Sequence, residues 1–171
     1  MLSTVHNSFI DNLLFYQKLT VKKKFSNREL LLFHFFYDST KIFPRNVIIV
    51  KDIVFFFLDN EKYFEAKSKL PYLRKKIQNR RIVLVREEVV LVNLVFGFFP
   101  DPYIHRIRIE RNMNTGQIVI IVGFLSYEER GIAVGCKGDY IKAINTIFES
   151  YVTFADYQGF QIKIKCEVVC L

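Results

Sequence analysis

Gly135 and Gly138 bracket Cys136 and Lys137 in the segment Gly131-Ile132-Ala133-Val134-Gly135-Cys136-Lys137-Gly138-Asp139-Tyr140-Ile141-Lys142-Ala143-Ile144. Two residues without a Cβ, three apart, allow a tight main-chain corner that an anion can approach closely. An apolar helical turn leads into the corner. An amphipathic helix opens at Gly138 and Asp139, and the N–H groups and dipole of its first turn favour a phosphate. Lys137 places a cation at the tip, and Lys142 belongs to the same set. Ile132, Val134 and Ile141 would supply an apolar wall against which bases stack or pack. These eight residues, Gly135, Cys136, Lys137, Gly138, Ile132, Val134, Ile141 and Lys142, are the candidates for a cleft that holds about four single-stranded nucleotides. The competing reading is a helix–turn–helix corner with no ligand, because a glycine pair at this spacing is common by chance in a chain with seven glycines. Asp139 is expected to serve as helix N-cap and Cys136 to be a small exposed residue.

A second candidate is a run of charge. Lys67, Lys69, Arg74, Lys75, Lys76, Arg80, Arg81 and Arg86 fall within residues 67–86, with Tyr72 between them and no acidic residue. Such a run is either a solvated face or a contact surface for a polyanion. Lys75, Lys76, Arg80 and Arg81 are the expected phosphate contacts. Lys22-Lys23-Lys24 is a smaller version. The formal net charge is +8, but residues 1–86 carry 17 Lys/Arg against 7 Asp/Glu, and residues 87–171 carry 8 against 10. The attraction for a polyanion therefore lies in the first half and the glycine corner in the second.

Other chemistries find no support in the residues. His6, His34 and His105 are scattered and form no catalytic set, so no enzyme activity, metal or cofactor is expected. Cys166-x-x-x-Cys170 lacks the second pair a zinc site needs. Three cysteines, an odd number, suit a reducing compartment, cytoplasm or organelle matrix. The abundance of Phe, Ile, Lys and Asn suggests an AT-rich genome, a plastid among the possibilities. The apolar runs Leu30–Tyr37 and Ile53–Leu58 are too short for a membrane span. The preferred RNA sequence and the oligomeric state are left open.

The elements that must position the corner are readable around it. Glu87–Phe99 reads as an apolar helix ended by Gly97, Pro100 and Pro102. Residues 105–110 alternate, with Ile107 and Ile109 on one face and Arg106 and Arg108 on the other. Gln117–Leu125 is a buried strand, and Ser126-x-x-Glu129 a capping box. Asp139–Ser150 is a helix with Tyr140, Ile144 and Ile147 on one stripe. In Phe160–Cys166, Phe160, Ile162, Ile164 and Cys166 alternate with Gln161, Lys163 and Lys165. Tyr151–Tyr157 is a further strand candidate. Upstream, residues 8–20 and 26–37 read as helices, the second started by Ser26-Asn27-Arg28-Glu29. Asn46–Val50, Ile53–Leu58 and Ile82–Val85 read as strands, and 61–81 as a polar, basic segment broken at Pro71. All seven glycines lie at or after Gly97, which disfavours a tightly turned barrel in the first half. No internal repeat is visible. The expected fold is α+β: a mostly helical, mixed basic region at 1–86, degenerate OB-like or a docking domain, then at 87–171 the order helix, strand, strand, helix, glycine corner, helix, strand. That order resembles a bacterial-type (type II) KH domain, with helices on a three-stranded sheet.

Residues 88–157 also resemble the NusA transcription elongation and termination factors. Phe98-Phe99-Pro100-Asp101-Pro102 through Ile104–Arg111 is similar to that family's entry into its first KH domain, and Gln117–Val122 to the next strand. Gly131–Ile144 is similar to the family's corner segment, with Gly135, Lys137, Gly138, Ile141, Ala143 and Ile144 at the loop and helix positions. The resemblance implies a non-catalytic protein that holds nascent RNA near RNA polymerase. The alternatives are a ribosomal or ribosome-assembly protein bound to rRNA, and a protein-interaction module with a vestigial corner and a Phe-rich docking half.

Overall fold

The structure, a computed structural model, describes residues 12–112, 114–156, 159 and 161–169. Two compact units emerge. Lys22–Glu87 form one, and the described residues up to Val21 join those from Glu88 onward in the other. The N-terminal segment thus leaves the basic region 1–86 in which the sequence reading placed it. The cause is strand pairing. Strand β1 (Leu19–Val21) runs antiparallel to β7 (Val152–Phe154), and Leu19 N–H donates to Val89 O at 2.8 Å. The expected helix over 8–20 shrinks accordingly to a helical turn at 12–15 within the described residues. The expected helix Glu87–Phe99 likewise starts only at Leu91, because Val90 bridges to Lys18.

The unit Lys22–Glu87 comprises α1 (Asn27–Thr40), β2 (Asn46–Val50), β3 (Ile53–Leu58), α2 (Asn60–Lys76) and β4 (Arg81–Arg86). Ser26 is the residue before α1, as its sequence signal suggests, but its hydroxyl donates to the Glu29 side chain rather than accepting from a helix amide. Glu29 is buried and its charge is met by Lys24 at 3.0 Å. The sheet order is β2-β3-β4, with β2 antiparallel and β4 parallel to β3. It is an open sheet of three strands, so the OB-like expectation does not hold here. All six residues of β3 are buried, which suits its unbroken apolar run. The polar segment 61–81 turns out to contain a helix of 17 residues that passes through Pro71. Tyr63, Ala66, Leu70, Leu73 and Ile77 line its inner face at spacings of three and four and pack on Phe36, Val54, Phe56 and Leu84.

The other unit comprises α3 (Leu91–Gly97), β5 (Arg106–Arg111), β6 (Ile118–Phe124), α4 (Tyr127–Val134), a 3-10 turn over Cys136–Gly138, α5 (Asp139–Ser150), β7, and β8 (Ile162–Val168). The order in its main sheet is β5-β6-β8, with β5 antiparallel and β8 parallel to β6. Tyr140, Ala143, Ile144, Ile147 and Phe148 of α5, and Phe98, Phe124, Ile162 and Ile164, are buried. Burying a side chain such as Phe98 or Phe124 contributes about 2–3 kcal/mol. Tyr140 reaches across to donate its hydroxyl to Phe98 O. Gly123 sits opposite both Arg106 and Glu167 in the ladder. With no side chain there, Glu167 on β8 meets Arg108 at 2.8 Å and Arg106 at 3.2 Å across the central strand. The hydrogen bond from Arg108 and the charge of both arginines hold the Glu167 carboxyl below its usual range.

The two units repeat one topology. Each sheet has its first strand antiparallel and its last strand parallel to the middle one, in the same order, preceded by a helix and crossed by helix. The sequence carries no visible repeat, so this duplication is a finding of the tertiary structure.

Candidate nucleic-acid interface

The glycine corner lies at the surface, with Cys136 and Lys137 exposed and Gly135 and Gly138 half-buried, and forms the tight turn its spacing suggests. Ser126 caps α4 by accepting the Glu129 N–H at 3.1 Å, and the Glu129 carboxylate accepts from the Ser126 hydroxyl at 3.3 Å. Helix α4 ends at Gly135, whose N–H donates to Gly131 O at 2.9 Å, and Gly138 N–H donates to Gly135 O at 3.2 Å. The turn requires positive φ at three of its four residues: Gly135 at 78°, Lys137 at 51° and Gly138 at 75°. Gly135 and Gly138 are glycines for different reasons. A Cβ on Gly135 would lie 2.7 Å from Tyr140 Cβ and 2.9 Å from Tyr140 N. At Gly138 the nearest atom is Lys142 Cε at 3.7 Å, so only the backbone conformation favours glycine there.

The N-cap of α5 is Gly138, not Asp139. Asp139 is the first residue of the helix, and its carboxylate accepts the Tyr140 N–H at 2.6 Å. The Asp139 N–H turns to Cys136 O. Two amides expected to face a phosphate are therefore engaged internally. The positive charge at the corner is that of exposed Lys137 and of Lys142, whose ammonium folds back to Lys137 O at 3.2 Å, set against the exposed carboxylate of Asp139. Beside them Ile132 is 44% exposed, and Val134 and Ile141 are half-buried. All eight candidates thus lie along one continuous stretch of chain with an accessible apolar flank. Cys136 is exposed.

From Lys142 the surface drops into an open cleft of about 480 Å³ between α5 and the edge strand β8. Its walls are Lys142, Asn145, Thr146 and Glu149 from one helical face, Gln161, Ile162 and Lys163 from the strand, and Gln117. Asn145 fixes the two walls together. It accepts the Ile164 N–H at 2.7 Å and donates to Ile164 O at 3.1 Å, as a neighbouring strand would. Farther along, Arg130 Nε donates to Cys166 O at 3.2 Å. Alternate residues of an edge strand turn their main-chain groups outward, and Ile162 comes before Ile164 in that series, at the cleft wall. Burial pushes the Cys166 thiol up to about 12, so it is protonated and inert at neutral pH. The cleft residues other than Lys142 escaped the sequence reading. Asn145 and Thr146 follow Lys142 at helical spacing, but only the fold brings Gln117, Gln161 and Lys163 opposite them.

The basic residues of the other unit separate into groups. Lys75 and Lys76, exposed in the last turn of α2, suit the negative end of that helix dipole. Arg80 and exposed Arg81 follow in the turn into β4. The Arg80 guanidinium donates to Lys51 O at 3.3 Å and the Arg81 N–H to Asp52 O at 2.8 Å. Lys51, which the sequence reading passed over, therefore joins Lys75, Lys76, Arg80 and Arg81 at one end of the sheet. Lys69 does not take part: its ammonium donates to Thr40 O at 2.6 Å. Arg86, at the far end of β4, lies over the rings of Tyr63 and Phe64.

Among the described residues no group of three His, Cys, Asp or Glu could hold a metal ion, and no helix is long and apolar enough to cross a membrane. No protein-family model matches the chain, and no curated protein matches it. It is similar to the crystal structure of a protein designated APE1850, at 18% sequence identity and a TM-score of 0.57, over 82% of this chain and 100% of that one. At that identity the likeness bears on the α+β fold alone.

Proposed function

We propose that the chain is a non-catalytic RNA-binding protein whose second unit is a type II KH domain, holding a short single strand between the glycine corner and the α5–β8 cleft. The observation that carries this reading is the corner itself: exposed at its tip, shaped by a glycine whose place has no room for a Cβ, crowned by Lys137 and Lys142, and opening directly into a cleft. Backbone phosphates would lie along Gly135–Gly138 against the two ammonium groups. Bases would turn past Ile141 toward Thr146, Gln117, Gln161 and the main chain of Ile162, which offer donors and acceptors to base edges. The end of the first unit bearing Lys51, Lys75, Lys76, Arg80 and Arg81 would add sequence-independent attraction. The similarity of residues 88–157 to NusA factors supports a role beside RNA polymerase in elongation and termination. Co-purification with polymerase rather than co-sedimentation with ribosomes is the expected result for that finer assignment.

Gly138 is the position to test, since its site has room for a side chain. Gly138→Asp combined with Lys137→Asp places two carboxylates on the phosphate path, and Asp tolerates the left-handed backbone of both positions. Binding of a single-stranded oligonucleotide at low salt should fall at least tenfold while the circular dichroism spectrum stays unchanged. Undiminished affinity in the folded double variant would remove the corner from the interface.

A further inference from the structure

A second aromatic and basic groove lies in the unit Lys22–Glu87, on the edge of its sheet formed by β2. That is the edge opposite β4, so the groove does not correspond to the α5–β8 cleft of the other unit. We propose that this groove, walled by Lys23, Phe25, Phe33, Phe43, Pro44 and Arg45, is a stacking site for a base of single-stranded nucleic acid. It encloses about 450 Å³.

Two features of the rings and the charge around them point to a flat, anionic ligand. Phe25 and Phe43 are 69% and 61% exposed, an unusual state for two phenyl groups at one groove. The Phe43 ring is fixed rather than loose. It stacks on Tyr37 with centroids 4.0 Å apart and planes 15° from parallel, and Phe33 lies 6.2 Å away at 36°. The ring thus has Tyr37 stacked on it and Phe33 tilted beside it, yet remains open to solvent, the arrangement of a platform for one further planar group. Cations outnumber the one carboxylate of the wall, Asp59. Lys23 and Arg45 are in the wall, and Lys41 lies over the Tyr37 ring at 5.5 Å from its centre.

Arg45 is oriented by Asp59 at 2.7 Å and Glu87 at 3.8 Å, so its charge is largely met within the protein, and Lys23 and Lys41 are the other cations beside the rings. The unit as a whole carries sixteen Lys/Arg against seven Asp/Glu. A ring platform inside a positive field fits a base with its phosphate better than it fits an apolar peptide, which would gain nothing from the charge. Phe33 and the Phe43–Tyr37 stack connect the platform to α1, a rigid element, so the groove is preformed.

The test uses the full chain carrying Gly138→Asp and Lys137→Asp, so that the glycine corner is disabled and its own success or failure does not enter. A hexauridylate is titrated in, and the aromatic ring signals of Phe25, Phe33 and Phe43 are followed by NMR. The expected result is progressive shifts of these signals and an affinity about tenfold weaker for each ring removed, by Phe25→Ala or Phe43→Ala. Phe43→Leu keeps the apolar bulk but not the flat face, and should lose as much as Phe43→Ala, which covers the case in which the alanine variant folds poorly. Unmoved ring signals, or binding undiminished in folded Phe43→Leu, would overturn the proposal. Shifts caused by an aromatic peptide and not by the oligonucleotide would overturn it as well and assign the groove to a protein.

Discussion

At the scale of single residues, the two glycines of the corner separate backbone freedom from packing. Gly138 needs a left-handed conformation in open surroundings, and Gly135 needs an extended positive-φ conformation, with ψ at 175°, and an absent Cβ beside Tyr140. Gly138→Ala should therefore cost about 1 kcal/mol, the ordinary penalty for a left-handed L-residue. Gly135→Ala should cost roughly 3 kcal/mol, since it adds a collision with a main-chain nitrogen and a buried tyrosine. Urea unfolding midpoints of the two variants check the order; equal midpoints would mean that Tyr140 yields without cost. Both glycines could be picked out from the sequence. The collision that ranks them could not, because Tyr140 reaches the corner only through the way α5 is set against α4.

At the scale of elements, the repeated topology explains where the glycine corner has its counterpart. Gly135 comes eleven residues after Phe124, the last residue of β6, and the same count from Leu58 at the end of β3 arrives at Lys69, with Pro71 two places on. Where the second unit breaks its crossover into α4 and α5, the first runs through as α2 with a proline inside. An interior proline lacks the N–H for the preceding turn and crowds the carbonyl four residues back. Pro71→Ala should thus stabilise the protein by about 2 kcal/mol, read as a higher urea midpoint; an unchanged or lower midpoint would mean that the bend it imposes is needed for packing. The stripe Tyr63, Ala66, Leu70, Leu73, Ile77 was present in the sequence at helical spacing. It was obscured by the dense charge on the other face of the helix and by the proline, which normally marks an end. The shortened helices at 12–15 and 91–97 have the opposite lesson. Their sequences suit a helix, and strand pairing by distant partners overrode that preference.

At the scale of the whole molecule, charge and corner belong to different units. Lys75, Lys76, Arg80 and Arg81 should set the salt dependence of RNA binding. Each phosphate contact contributes about 0.7 to the slope of log affinity against log salt for a single strand. Replacing all four by Ala should flatten the slope by about 3, whereas Gly138→Asp should weaken binding by repulsion at one point of the path. Titrations between low and moderate salt distinguish the two; a slope indifferent to the four substitutions would leave those residues as a solvated face, with Arg74, Lys75 and Lys76 explained by the dipole of α2 alone.

The order of elements from residue 105 to 168, the capping box, the tight glycine turn and the alternation of Ile162 and Ile164 with Lys163 and Lys165 all followed from local patterns, since period, capping and glycine geometry act over a few residues. Phe160, which begins that alternation, lies outside the described residues. Only the tertiary structure assigned β1 to the second unit, opened the α5–β8 cleft, gathered Lys51 with four later basic residues and revealed one topology used twice. Each of those depends on pairing between residues far apart in the chain, where the energy lies in shared ladders and packed faces that no short stretch of sequence contains.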